Sequence, residues 1–154
     1  MIVRPSSRQL LESVREELRT TIADAVADAE AQARLAMIDS VLASVAVRSE
    51  HEVAWIREEI AEIEEGARAV IAAGADGGDR VAEALADLDG RRAASDLVSE
   101  LHGEYDAAGE VLSRSIEAAL PAGGELRQRI EGILARRLAR EVEIRGEFSL
   151  AGRE

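Results

Sequence analysis

From about residue 30 to residue 73, apolar side chains return every three or four positions. The first set is Ala33, Met37, Ile38, Val41, Leu42 and Val45; the second is Ile56, Ile60, Ile63, Ala67 and Ile71. That spacing puts them along one side of a helix. Between the sets, Arg48, Ser49, Glu50, His51 and Glu52 form a polar stretch with no helix breaker. The spacing therefore predicts one continuous helix with a wetter middle or a mild bend. Roughly 44 residues at 1.5 Å each give about 66 Å. Nothing else in the chain predicts so long a helix, so this one is expected to be the spine.

The rest of the chain repeats the pattern in shorter pieces. Ser6 and Gln9 have the spacing of a capping box, with Pro5 just outside it and placed to pack on Leu10. Leu11, Val14, Leu18, Ile22, Ala25 and Ala29 then define a first helix at about 6–27. Residues 24–33 hold no Gly or Pro, so a turn there competes with one uninterrupted helix. The run GADGGD at 74–79 reads as a loop, with Asp79 placed to cap a short helix at about 80–88. Asp89-Gly90 marks the next turn. A helix at about 92–120 presents Leu97, Leu101, Tyr105, Ala108, Leu112, Ile116 and Leu120. Gly109 lies beside that stripe, where a neighbouring helix could come close. Pro121 and Gly123-Gly124 end it. The last helix, about 124–146, turns Leu126, Ile130, Ile133, Leu134, Leu138 and Val142 inward, with Gly146 as its cap. Residues 147–154 read as a mobile tail unless Phe148 and Leu150 dock.

The expected fold is all-α: an elongated antiparallel helical bundle of four main helices plus one short one, forming one domain over 1–146. Aromatic residues make up only 2% of the chain, so the core must be aliphatic. A spine longer than its neighbours leaves apolar surface at one end. Helices draw most of their stability from packing, so a short helix or a second chain should cover that end. A homodimer is the expected state.

Composition narrows the function. There is no cysteine, which excludes disulfides, thiol chemistry and thiolate zinc sites. A net charge of −12 disfavours nucleic-acid binding. No stretch of about 18 apolar residues is present, so no membrane span is expected, and no secretory signal is apparent. A cytoplasmic location is consistent with all of this.

Two clusters are the candidate sites. His51 and Trp55 stand one helical turn apart with Glu58 and Glu59 nearby, and a lone Trp is a common binding anchor. The simpler account is a boundary His stacked on Trp beside an acidic face. Glu100, His102, Tyr105 and Asp106 form the second cluster, with His102 and Asp106 four residues apart. A general-base pair there would need a pocket and a nucleophile, and the sequence shows neither. Glu-x-x-His pairs, which build two-metal sites in helical bundles, are missing: Arg48 and Ser99 stand three residues before the histidines. No metal or cofactor is expected, and no phosphate-cradling glycine motif occurs.

Charge is unevenly placed. Residues 48–65 hold seven Glu and two Arg, while the last helix carries Arg127, Arg129, Arg136, Arg137, Arg140 and Arg145. Acidic residues near a helix C-terminus oppose its dipole. The spine is therefore expected to continue past Glu65, with those carboxylates finding arginines on the last helix; the alternative is two independent solvated faces.

Two stretches, RPSSRQLLESVREEL from Arg4 to Leu18 and VRSEHEVAWIREE from Val47 to Glu59, resemble a group of small bacterial helical proteins of unknown function. Members of that group are encoded beside kinases resembling aminoglycoside phosphotransferases. The resemblance implies an accessory or regulatory role toward such a kinase and supplies no catalytic residues. The expected function is a non-enzymatic interaction or accessory protein. The alternatives are a binder of small hydrophobic or acyl ligands in a cavity between helices and, further off, a metal-dependent bundle enzyme.

Overall fold

A computed structural model describes residues 4–145. The described chain is all-α, with five helices and no strand. Gly146 and the tail at 147–154 lie outside the described residues. The expected lengths of the long helices hold closely, and the differences fall at the joints.

Helix α1 (Ser7–Glu17) starts on the expected box: Gln9 N–H donates to the Ser6 hydroxyl at 3.3 Å, and Ser6 N–H to the Gln9 side chain at 2.9 Å. Helical backbone then continues through a π-helical stretch, Leu18–Ile22, to Ala25. Thr20 donates its hydroxyl to the Glu16 carbonyl at 2.9 Å, a side-chain bond that competes with the backbone ladder. The chain does turn within 24–33. Val26 is extended, and the Asp28 carboxylate accepts the Ala31 N–H at 2.8 Å, starting the next helix.

Helix α2 (Ala29–Ala72) is the expected long helix, unbroken through its polar middle. Gly74 and Gly77 have φ of 62° and 86°, a conformation that favours glycine, and reverse the chain into α3 (Gly78–Gly90). Gly77 stands at the cap. Asp79 does not cap α3; it lies inside the first turn, where its charge still suits the dipole. Helix α4 (Val98–Ala122) begins six residues later than the spacing suggests, because the side chains of Glu100 and Glu104 hold residues 93–95 out of the helix. Pro121 is accommodated inside the last turn, and Gly123 at φ 70° ends the helix. Helix α5 (Gly124–Arg145) completes the described chain.

The chain forms two compact units, residues 53–138 and residues 1–52 with 139–154. In the 53–138 unit, the second half of α2 and then α3, α4 and α5 alternate in direction. Ile56, Ile60, Ile63, Ala67 and Val70 of α2 are buried there, with Val81 and Leu88 of α3. Leu101, Ala108, Val111 and Leu112 of α4 and Ile130 and Ile133 of α5 complete the core. Among the described glycines, the tightest approach is at Gly66, not at Gly109. A Cβ on Gly66 would lie 2.9 Å from Ile133 Cδ1, whereas none on Gly109 would meet anything within 4 Å. Ion pairs flank that seam: Arg129–Glu65 at 2.6 Å, Arg136–Glu62 at 2.9 Å and Arg137–Glu59 at 3.6 Å. This is the charge pairing the sequence predicts.

In the other unit, α1 runs antiparallel to the first half of α2. Arg15 bonds Asp39 at 2.9 Å, and Arg8 pairs with Glu50. Ala46 is the one buried apolar residue described there. Several residues expected to face inward are exposed, among them Val14, Ile22, Met37, Ile38, Val41 and Val45. On α5, Leu134, Leu138 and Val142 are exposed as well. Steps of four residues advance about 400°, so a 134-138-142 series drifts about 40° per step away from a face centred on Ile133. Leu97, Leu120 and Ile71 are also exposed, at or near helix ends.

Candidate functional site

Two features stand out, one in each unit. The first is a buried carboxylate cluster in the 53–138 unit. Glu104 lies on the buried side of α4, three residues after Leu101 and four before Ala108, and is 1% exposed. Arg57 donates to its Oε2 at 2.8 Å, Arg92 to its Oε1 at 2.9 Å, and Ala93 N–H to Oε2 at 3.1 Å. Burial pushes its carboxyl up, but the Ala93 amide and the Arg92 and Arg57 guanidiniums outweigh that and hold it below the usual carboxylate range.

The two arginines reach outward from this centre. Arg57 also donates to Asp96 at 3.2 Å and to the Ser95 carbonyl at 3.4 Å. Arg92 bonds Asp89 at 2.8 Å and pairs with Glu64, whose other oxygen takes Arg68 at 2.7 Å. Desolvation works against the Arg92 charge, yet its bonds to Glu104, Asp89 and Glu64 raise its pKa overall. Glu100 adds a separate hold, accepting from Ser95 N–H at 3.0 Å and from its hydroxyl at 2.9 Å. The cluster ties the connection between α3 and α4 to α2 and α4. A general base needs a pKa near working pH and a free oxygen. Glu104 is shifted the other way, with both oxygens engaged, so its chemistry is that of a clamp.

The sequence-predicted residues divide across these surroundings. Glu59 is buried and accepts the Tyr105 hydroxyl at 2.9 Å, while Arg137 lies over the Tyr105 ring at 5.7 Å. One member of each expected cluster therefore meets in a structural contact. Glu58, Glu100, His102 and Asp106 are exposed, and Trp55 is half-buried. His51 is half-buried with Nε2 3.7 Å from Glu50. Glu104, Arg57 and Arg92 were not among the predicted site residues. The available signal was a Glu at a position where the α4 stripe calls for an apolar residue. Among the described residues, no group of three His, Asp or Glu side chains is placed to hold a metal ion.

The second feature is an uncovered apolar flank on the first half of α2. Met37 is 70% exposed and Val41 62%, with Ile38 and Val45 beside them. Arg34, Met37, Ile38, Val41 and Leu42 line a shallow depression whose walls are almost wholly apolar. From Ser40 to Val47 there is no charged residue. No described helix is long and apolar enough to cross a membrane.

No protein-family model matches the chain, and no curated protein or solved structure matches it either.

Proposed function

We propose that this chain is a cytoplasmic, non-enzymatic interaction or accessory protein that works as a homodimer. The observation that carries the reading is the α2 flank around Met37 and Val41, exposed from Met37 to Val45, about two and a half helical turns. Contiguous apolar surface on a folded chain marks a place where another molecule binds. The buried carboxylate cluster supports the same reading, because its charged groups are spent on each other rather than offered to a substrate. The resemblance carried by Arg4–Leu18 and Val47–Glu59 supports a phosphotransferase-like kinase as a second partner, which this protein assists or regulates. The test is to measure the mass of the purified chain in solution, alone and mixed with such a kinase, and to follow phosphotransfer. A dimer alone, and a complex with an altered rate in the mixture, are expected. A monomer that changes neither mass nor rate overturns the reading.

The apolar lining of the depression at Arg34–Leu42 favours a second reading, in which the flank holds an acyl chain. Long-chain fatty acids should then raise the melting temperature of the native chain but not of a Val41→Asp variant.

A further inference from the structure

The geometry points to the surface and register of self-association: α2 pairs antiparallel with α2 of a second copy, with Glu30 of each chain against Arg48 of the other. The inference rests on the homodimer reading and goes beyond it by fixing which residues meet.

Three observations lead there. The first is direction. Within its unit, α2 meets α1 through Asp39, which holds Arg15. Counting about 100° per residue, Glu30, Met37, Val41 and Arg48 all lie within about 20° of the direction opposite Asp39. The face is thus turned away from α1 and is exposed at all four positions.

The second is charge. The whole chain carries −12, so most encounters between two copies are repulsive. Residues 29–48 hold two acids, Glu30 and Asp39, and two arginines, Arg34 and Arg48, for a net charge of zero. The span that would pair is thus neutral within itself, with the acids Asp28, Glu50 and Glu52 flanking it.

The third is self-complementarity. A two-fold interface requires that if residue i meets j, then j meets i. In an antiparallel pair centred at the level of residue 39, Met37 meets Val41 and Val41 meets Met37. At the ends, Glu30 meets Arg48 twice; each already holds a partner one turn along its own helix, Arg34 and Glu52 respectively, so the contact joins two existing ion pairs. The two Asp39 carboxylates face outward, each toward the Arg15 of its own chain. Shifting the centre to residue 41 would instead set Arg34 against Arg48 and Glu30 against Glu52, like against like. Opposed charges at a rim select register more than they add affinity, and of these two arrangements they favour the first.

The chain has no cysteine, which makes the register directly readable. Met37→Cys and Val41→Cys chains are prepared separately and mixed, then oxidised mildly beside each variant alone. Both positions are exposed, so neither change threatens the fold. The expected result is a cross-linked dimer severalfold more abundant in the mixture than in either variant by itself. Sedimentation of the cysteine-free chain is run in parallel. A native dimer without preferential 37–41 cross-linking overturns this surface and leaves the homodimer reading standing. A native dimer in which Val41→Cys links to itself best overturns the register. A monomeric native chain overturns both.

Discussion

Val41 and Val70 are the same residue type on the same helix, yet Val70 is fully buried and Val41 is 62% exposed. The contrast extends to their neighbours. Past residue 53, α2 buries Ile56, Ile60, Ile63 and Ala67 against α3, α4 and α5. Before residue 53 its apolar side chains are as regularly spaced, and Ala46 alone among them is buried. What differs is how many helices are present to cover each side. The 53–138 unit is closed by aliphatic packing with a charged clamp inside it. In the other unit, α1 is joined to α2 through ion pairs such as Arg15–Asp39, with the Asp39 bond raising the Arg15 pKa. Periodicity says which residues line up; the count of neighbours decides whether the line is a core or a surface.

The largest effect should come from breaking the clamp. Glu104→Ala leaves Arg57 and Arg92 without their buried acceptor and the Ala93 amide unpaired. Both arginines are about 40% exposed and keep Asp96, Asp89 and Glu64 as partners. The loss is therefore about 2–3 kcal/mol, from the charged hydrogen bonds and the orphaned amide, and urea unfolding would read it as a lower midpoint at unchanged slope. The same group predicts a pH dependence. Its folded pKa lies below the unfolded value of about 4.3. Its stabilisation is therefore complete above that value and is lost as pH falls through the folded one. Glu104→Gln should flatten the acid limb of the stability curve. An unchanged limb would mean the clamp is not what acid releases.

The two valines test the comparison itself. Val70→Ala removes two buried methyl groups and should cost about 2 kcal/mol. Val41→Ala, measured at concentrations dilute enough to keep the chain monomeric, should stay within about 0.5 kcal/mol. Raising the concentration should then separate Val41→Ala from the native chain, because self-association adds stability by mass action. Equal costs for the two changes at low concentration would erase the distinction between the units.

Much of this was legible before any coordinates. The capping box at Ser6, the extent of α2, the glycine turn at 74–79 and the pairing of Glu59, Glu62 and Glu65 with α5 arginines all follow from local chemistry or charge. Burial was less legible. Met37, Val41 and Leu138 have the spacing of core residues, and nothing within one helix says whether a neighbour covers them. Glu104 was missed for a related reason. A Glu in a helix reads as surface, and only the tertiary fold brings Arg57 from α2 and Arg92 from the α3–α4 connection onto it. The start of α4 differs because side chains five and eleven residues further on, not local propensity, take up the amides of Ser95 and Ala93.

Two glycines sharpen the picture of a tightly closed unit. Gly66→Ala would push a methyl to 2.9 Å from Ile133 Cδ1 and 3.1 Å from Ile130 Cδ1. Overpacking costs about 1–3 kcal/mol, and the helix propensity gained returns about 1, so a net loss of about 1 kcal/mol is expected. Gly109→Ala enters open space and should instead stabilise by about 0.5–1 kcal/mol. Opposite signs in thermal unfolding would place the close approach of helices at Gly66. A stabilising Gly66→Ala would show that α2 and α5 have room to spare.

The smallest effect concerns the ion pairs along that same seam. Arg136 and Arg137 both keep substantial solvent contact, and exposed pairs contribute about 0–1 kcal/mol each. Arg137 has the larger stake, since it meets the buried Glu59 and covers the Tyr105 ring. Replacing both arginines by Gln should therefore lower stability by about 1 kcal/mol, with most of the loss from Arg137→Gln alone. Salt should mimic the Arg136 share, because screening reaches an exposed pair sooner than a contact on a buried carboxylate. A double variant as stable as the native chain, with the same salt response, would leave aliphatic packing at Gly66, Ile130 and Ile133 as what holds α5 to α2.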